Sequence, residues 1–347
     1  MMHYKKKIFA FLILQLVSVA IYAQDFSRPG EYLNYIGLEY SKIAREKWDY
    51  TRAIGHGKRD KLIEKRRKDL AQAILDSKRT ISKMPPFNKS TALRDSIISA
   101  MNINYIIVNQ DYAKLVDMEE VKEQSYDAME AYMLAKDLAL DKQAVANDMV
   151  LEQYDRFIAD NNIKVNKDNE ESKLAKKMRI AGDVFEYYNK IYLIFFKSYK
   201  QNSYLMDALD KGDINGIEQN RNSLLNYSKD GIEKLKENVR YQGDETLSTA
   251  CRQVLTYYAD KAETKIPVMI EFFTAKDKFD KIKVTFDKIK PAQRTQQNID
   301  TYNNAVNEMN AASTKYNAAN NKMNESGHKV IENWNNKSES FLDSHIP

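Results

Sequence analysis

Few residues in this chain could do chemistry. Beyond the N-terminal apolar stretch it holds three histidines, His56, His328 and His345, and its one cysteine is Cys251. No histidine has a second histidine or a cysteine at ligand spacing, and Cys251 has no CxxC partner, so no zinc-ligand set is present. There is no HExxH, CxxCH or GxSxG, and no glycine-rich loop of either phosphate-binding type. The GHG at 55 to 57 reads as a helix-ending turn. Carboxylates such as Glu119, Glu120 and Glu123 crowd one stretch, but catalysis by a carboxyl pair needs a set separation and perturbed acidities, which spacing alone does not supply. The reading is non-enzymatic, with no catalytic residue, cofactor or metal.

What stands out is cationic. GHGKRDKLIEKRRKDL, from Gly55 to Leu70, gathers Lys58, Arg59, Lys61, Lys65, Arg66, Arg67 and Lys68. On a helical wheel Lys58, Lys61, Lys65 and Lys68 share one side and form the candidate interaction surface, toward anionic lipid or polysaccharide of a cell envelope. Leu62, Ile63, Leu70, Ala73 and Ile74 share the other, with Arg59 and Arg66 leaning toward that apolar stripe, where each must snorkel or find a carboxylate. Residues 24–94 carry 17 basic and 9 acidic side chains, whereas residues 95–163 carry 5 and 14. The expectation is that the acidic segment balances the basic helix.

The elements that would position these residues are helices. Glycine and proline are scarce (10 and 6), hydrophobics make up 43% and charged residues 30%, and no sustained alternation marks a strand. The fold class is all-α: an elongated multi-helix bundle with two related helical halves. Helices are expected over 32–52, on through the basic stretch to Lys83, and over 91–116 after the break MPPFNKS (Met84 to Ser90). Two more fill 119–160, divided near 139–142. The polar run Asp160 to Ser172 reads as a linker between halves at 24–163 and 164–347. A shift of 154 residues overlays Tyr50 on Tyr204, Ile63 on Ile217, Arg67 on Arg221, Leu70 on Leu224, Phe87 on Tyr241 and Leu93 on Leu247, which suggests duplication. Toward the C-terminus a 3-4 spacing from Ile299 through Met323, Trp334 and Phe341 predicts one long coiled-coil-like helix, with Lys337 foreign to the seam and Gly327 a point of interruption. Phe185, Tyr188, Tyr192, Phe195, Phe196 and Tyr199 cluster on one helical face and read as core. Pro267 should bend or break its helix.

The N-terminus has the layout of a secretory signal peptide over residues 1–23: Lys5 to Lys7, an apolar run from Ile8, and Ala23 before Gln24. No other stretch approaches the about 20 apolar residues of a membrane-spanning helix, so no integral span is expected after its removal. Removal takes three lysines and lowers the net charge from +5 to +2, which argues against nucleic acid as a partner. A single cysteine leaves no internal disulfide for an oxidising compartment.

The ending YAQ, the segment KMPPFNKSTALRD from Lys83 to Asp95, and the length of two helical halves resemble a family of exported, all-helical bacterial surface proteins of unknown function, of spirochaete and Bacteroidetes type. The resemblance implies a periplasmic or outer-surface location in a Gram-negative cell and carries no catalytic residues. The function expected is binding of a protein, glycan or other envelope component; the alternative is a membrane-active helical protein of the pore-forming kind.

Overall fold

The computed structural model describes residues 26–111, 125–164, 172–237 and 240–347. The signal-peptide reading, the start of the helix expected at 119 and most of the linker fall outside them. The protein is an all-α multi-helix bundle, with no strand among the described residues. Nine α-helices are described: α1 Pro29–Gly55, α2 Asp60–Ser82, α3 Ala92–Ile106, α4 Tyr126–Asp160, α5 Lys173–Lys211, α6 Ile214–Leu235, α7 Thr246–Asp260, α8 Ile266–Lys288 and α9 Gln296–His345. Wide π turns follow α3 at Ile107–Asp111 and α7 at Lys261–Lys265.

The chain divides into two compact units, one made of residues up to Glu186 with Leu342–Pro347, the other of Tyr187–Phe341. In the first, α2 packs on α1 and α3, and α3 on α4. Its core runs from Tyr32, Ile36 and Ile43 through Leu70, Ile74 and Ile81 to Ile97 and Met101. The last residues return to the end of α1. A Cβ on Gly55 would lie 2.3 Å from Ile346 Cδ1, so a larger residue there would have to turn the Ile346 side chain aside. In the second unit α6 packs on α7, around Ile191, Leu224, Leu247, Cys251, Leu255 and Tyr258.

Several geometries occur once in each unit. Pro85 and Pro86 end the continuation of α2, and Phe87 and Ser90 then exchange backbone hydrogen bonds of 2.9 and 2.8 Å across Asn88 and Lys89, both at positive φ. Tyr241 and Asp244 do the same, at 2.9 Å each way, across Gln242 and Gly243, also at positive φ. Tyr32, Phe87 and Phe157 form an aromatic trio with centroids 5.0 to 5.6 Å apart; Tyr187, Tyr241 and Phe341 form another at 5.4 to 5.7 Å. Each ring pair adds about 0.5–1.5 kcal/mol beyond its buried area. Helices α3 and α7 are both 15 residues long, and each runs directly into its π turn.

Three expectations about elements are corrected. No division occurs near 139–142: α4 is continuous, because Ala139, Gln143 and Ala146 keep one buried face through that region. Gly327 does not interrupt α9. It lies where a Cβ would come 2.7 Å from Tyr257 Oη, and that hydroxyl donates to the Met323 carbonyl at 2.7 Å, so the glycine serves a close helix approach. Pro267 does not break a helix either. It sits in the first turn of α8, just after the π turn, where its missing N–H costs nothing. In the α9 seam Lys337 is exposed, and Ser338 takes the inward place between Trp334 and Phe341.

Candidate functional site

Helix α2 begins after the Gly57 turn, where φ is +53°, and its first turns carry the cationic run. The structure separates that run into two groups. Lys65 pairs with Asp69 at 2.8 Å and Lys68 with Glu64 at 3.3 Å, while Arg66 stands 3.6 Å from Asp49 of α1 and 3.7 Å from Asp69. Lys58 and Lys61 are exposed and meet no carboxylate among the described residues. Ile54 and Leu62 beside them are 38% and 39% exposed, so the α1–α2 corner is cationic and aliphatic together.

The balance expected from residues 95–163 falls partly outside the described residues. Among the described residues, the anions that meet Lys65, Arg66 and Lys68 lie on α1 and α2 themselves. Carboxylates three or four residues away on the same helix reach a lysine without any tertiary arrangement, and such short-range pairing overrides a sum of charge over whole segments. The structure thus does not keep the four candidate lysines equivalent: Lys65 and Lys68 are paired along the helix, whereas Lys58 and Lys61 meet no carboxylate among the described residues.

The buried cation is Arg67, not Arg59 or Arg66. Arg59 is exposed, whereas Arg67 is 5% exposed. Its Nε and Nη2 donate to the two oxygens of Glu64, both at 2.7 Å. Its Nη1 donates to the carbonyls of Val108 at 2.9 Å and Asn109 at 3.3 Å. Those carbonyls belong to the first π turn, where the shift from i+4 to i+5 bonding leaves an acceptor without its usual helical partner. Hydrogen bonding from Arg67 holds the Glu64 carboxyl below the usual range, against the opposing effect of desolvation. In the second unit Arg221 Nε donates in the same way to the Ala262 carbonyl of the second π turn, at 2.8 Å. A signal for Arg67 existed in the sequence: it stands three, four and seven residues before Leu70, Ala71 and Ile74, on the buried stripe itself.

A second buried cation opens the second π turn. Lys261 is 3% exposed, and its Nζ lies 2.6 Å from Asn202 Oδ1 and 3.1 Å from Met206 Sδ. Burial pushes its pKa down to about 8. The residue that opens the first π turn, Ile107, is apolar and 1% exposed.

The remaining reactive groups stay apart. His56 Nδ1 lies 2.6 Å from Asp343 Oδ1, and no group of three metal-ligating side chains occurs among the described residues. Cys251 is fully buried and its thiol is pushed up by burial. No described helix is long and apolar enough to cross a membrane. A shallow groove of about 460 Å³ along α7 and α9 is lined by Glu245, Thr246, Thr249, Gln253, Asn333 and Lys337, and Asn333 already donates to Gln253 across it at 2.9 Å. The chain matches no protein-family model, no curated protein and no solved structure.

Proposed function

We propose that this is an exported, non-enzymatic helical-bundle protein of a Gram-negative envelope, periplasmic or on the outer surface, that acts by binding a protein, glycan or other envelope component. The observation that carries the reading is the α1–α2 corner. Lys58 and Lys61 stand there without carboxylate partners among the described residues, beside exposed Ile54 and Leu62. Unneutralised charge next to exposed aliphatic surface is what a contact site offers, since the charge attracts and the apolar area supplies affinity once water leaves. The signal-like N-terminus and the resemblance to exported helical surface proteins support the location.

The two halves are further proposed to descend from one duplicated unit. The start of α3 and α7 at 92 and 246, the π turns at 107 and 261, and the pairs Arg67 with Val108 and Arg221 with Ala262 all keep one spacing of 154 residues. Gly57 and Gly212, both at positive φ, differ by 155, so the glycine stands one residue nearer the following helix in the second unit.

The test is capture of partners from intact envelopes with the full chain and with a Lys58→Glu, Lys61→Glu double variant. Capture by the wild type that falls at least about fivefold in the variant is expected, from roughly 1 kcal/mol for each rim charge reversed. Undiminished capture removes the corner as the contact.

A further inference from the structure

The second unit contains a helical arm built on a segment longer than its counterpart in the first. Between the end of the π turn and the last aromatic of the trio the chain spends 46 residues in the first unit, Asp111 to Phe157, and 76 in the second, Lys265 to Phe341. Beyond Met269, α8 has no buried side chain, and several of its side chains meet α9. Phe272 faces Tyr316 at 4.7 Å, Phe286 stacks on Tyr302 at 4.5 Å, and Lys278 pairs with Glu308 at 2.5 Å. These contacts zip α8 and α9 into a two-helix arm, with α8 running about 28 Å past Met269 at the rise of an α-helix.

The arm ends in KIKVTFDKIKPAQR, Lys281 to Arg294, with five basic side chains and one acidic. Lys281, Val284 and Lys288 follow one another at three and four residues on a solvent face, and Val284 is 55% exposed. Lys288 and Lys290 meet no carboxylate among the described residues. Among the described residues Lys281 and Lys283 pair with neighbours on their own helix, Asp277 at 2.6 Å and Asp287 at 2.8 Å, in pairs at least half exposed. Such pairs contribute little and exchange readily for another anion. The end itself is braced: the Arg294 guanidinium lies 4.2 Å over the Phe286 ring, its Nε donates to the Ile289 carbonyl at 3.2 Å, and Thr295 and Asn298 cap the start of α9 reciprocally. The cations are thus presented on an ordered tip rather than on a loose loop.

We propose that this tip docks on the anionic surface of a phospholipid bilayer, with its lysines among the headgroup phosphates and Val284 at the level of the headgroup–acyl boundary. A group of four or more basic residues is the size that anionic bilayers retain, and the exposed aliphatic side chain between two lysines gains from an interface that a hydrated polyanionic glycan does not offer. The site is separate from the α1–α2 corner and does not depend on it.

Co-sedimentation of the full chain with vesicles tests this, using pure phosphatidylcholine against phosphatidylcholine with one third phosphatidylglycerol, at about 0.1 M salt where the Debye length is about 10 Å. Binding to the anionic vesicles, and a loss of at least about tenfold in Lys288→Glu, Lys290→Glu, is expected from the usual contribution of each basic residue. Lys58→Glu, Lys61→Glu should keep most of the binding, and the apolar N-terminus, common to all variants, cancels in these comparisons. Val284→Ser should lower vesicle binding while leaving retention on dextran sulfate unchanged. Equal binding to both vesicle types, or anionic binding that survives Lys288→Glu, Lys290→Glu, overturns the proposal. So does retention on dextran sulfate without vesicle binding, which would assign the tip to a glycan.

Discussion

Arg67 ties a buried positive charge to two different acceptors, a carboxylate on its own helix and the carbonyls of a π turn 41 and 42 residues further on. Removing the guanidinium strands both: the Glu64 carboxylate loses its principal partner and the turn's carbonyls lose a donor in a site that is nearly closed to water. Breaking a buried pair from one side costs about 3–5 kcal/mol. Arg67→Ala should therefore lower the unfolding free energy of the first unit, read from its urea midpoint and slope, by up to that amount, whereas Arg66→Ala, at a site one third exposed with carboxylates 3.6 and 3.7 Å away, should change it by less than about 1 kcal/mol. Equal effects of the two substitutions would show that Arg67 does not brace the turn. The wheel placed Arg59 and Arg66 near the apolar stripe and passed over Arg67 because it scored the stripe from Leu62, which proves to be exposed. The partner of Arg67 was not legible at all, since a backbone carbonyl freed by a wide turn leaves no trace in residue type.

The two π turns make the same joint with different residues in first place. Ile107 fills its site with hydrocarbon, while Lys261 brings an ammonium whose recorded partners, Asn202 and Met206, are both neutral. A lysine whose folded pKa lies near 8, below its unfolded value of 10.5, binds fewer protons folded than unfolded between those limits. Its burial cost is therefore fully present below about pH 8, and stability rises as pH climbs from 8 toward 10.5, by about 3 kcal/mol at most. Lys261→Ile should raise stability at pH 7 by about 1–3 kcal/mol, the loss of the Asn202 bond offsetting part of the gain. The difference between variant and wild type should shrink above pH 8. Subtraction matters because buried Tyr257 and Tyr258, whose pKa values are raised, titrate in the opposite sense at higher pH. A difference that stays constant from pH 7 to 10 would mean that Lys261 is not the group responsible. Among the elements, breaks were easier to read than continuities. Two prolines mark the end of α2, and the 3-4 seam marks α9 through fifty residues. The continuity of α4 depends on small residues, Ala139 and Ala146, which pattern-reading undervalues. Gly327 in α9 was misread because its reason lies on another helix, at Tyr257.

For the molecule as a whole, composition was the more legible signal. Segment totals of opposite sign suggested a long-range balance; among the described residues the carboxylates that meet α2 sit within a few residues or on the adjacent helix, because screening and side-chain reach favour the nearest partner. Scarce glycine and proline with periodic hydrophobics correctly implied an all-α bundle, since that class needs only amphipathic faces in register. The same composition bears on what holds the fold together. With Cys251 alone, the chain can form no internal disulfide, and this thiol is fully buried in the second unit's core, with Sγ 3.9 Å from the Ile191 carbonyl. A native disulfide typically contributes about 2–5 kcal/mol, enough to move a melting temperature by several degrees, so excess reductant should leave this protein's Tm unchanged. Burial also pushes the thiol above its ordinary pKa, which suppresses the reactive thiolate as well as access to it. A disulfide-exchange reagent should label the native chain only through opening of the second unit and should find one thiol per chain in denaturant. Prompt labelling without denaturant, or a Tm that falls with reductant, would mean that Cys251 is not enclosed in the core and that stability does not rest on helix packing alone.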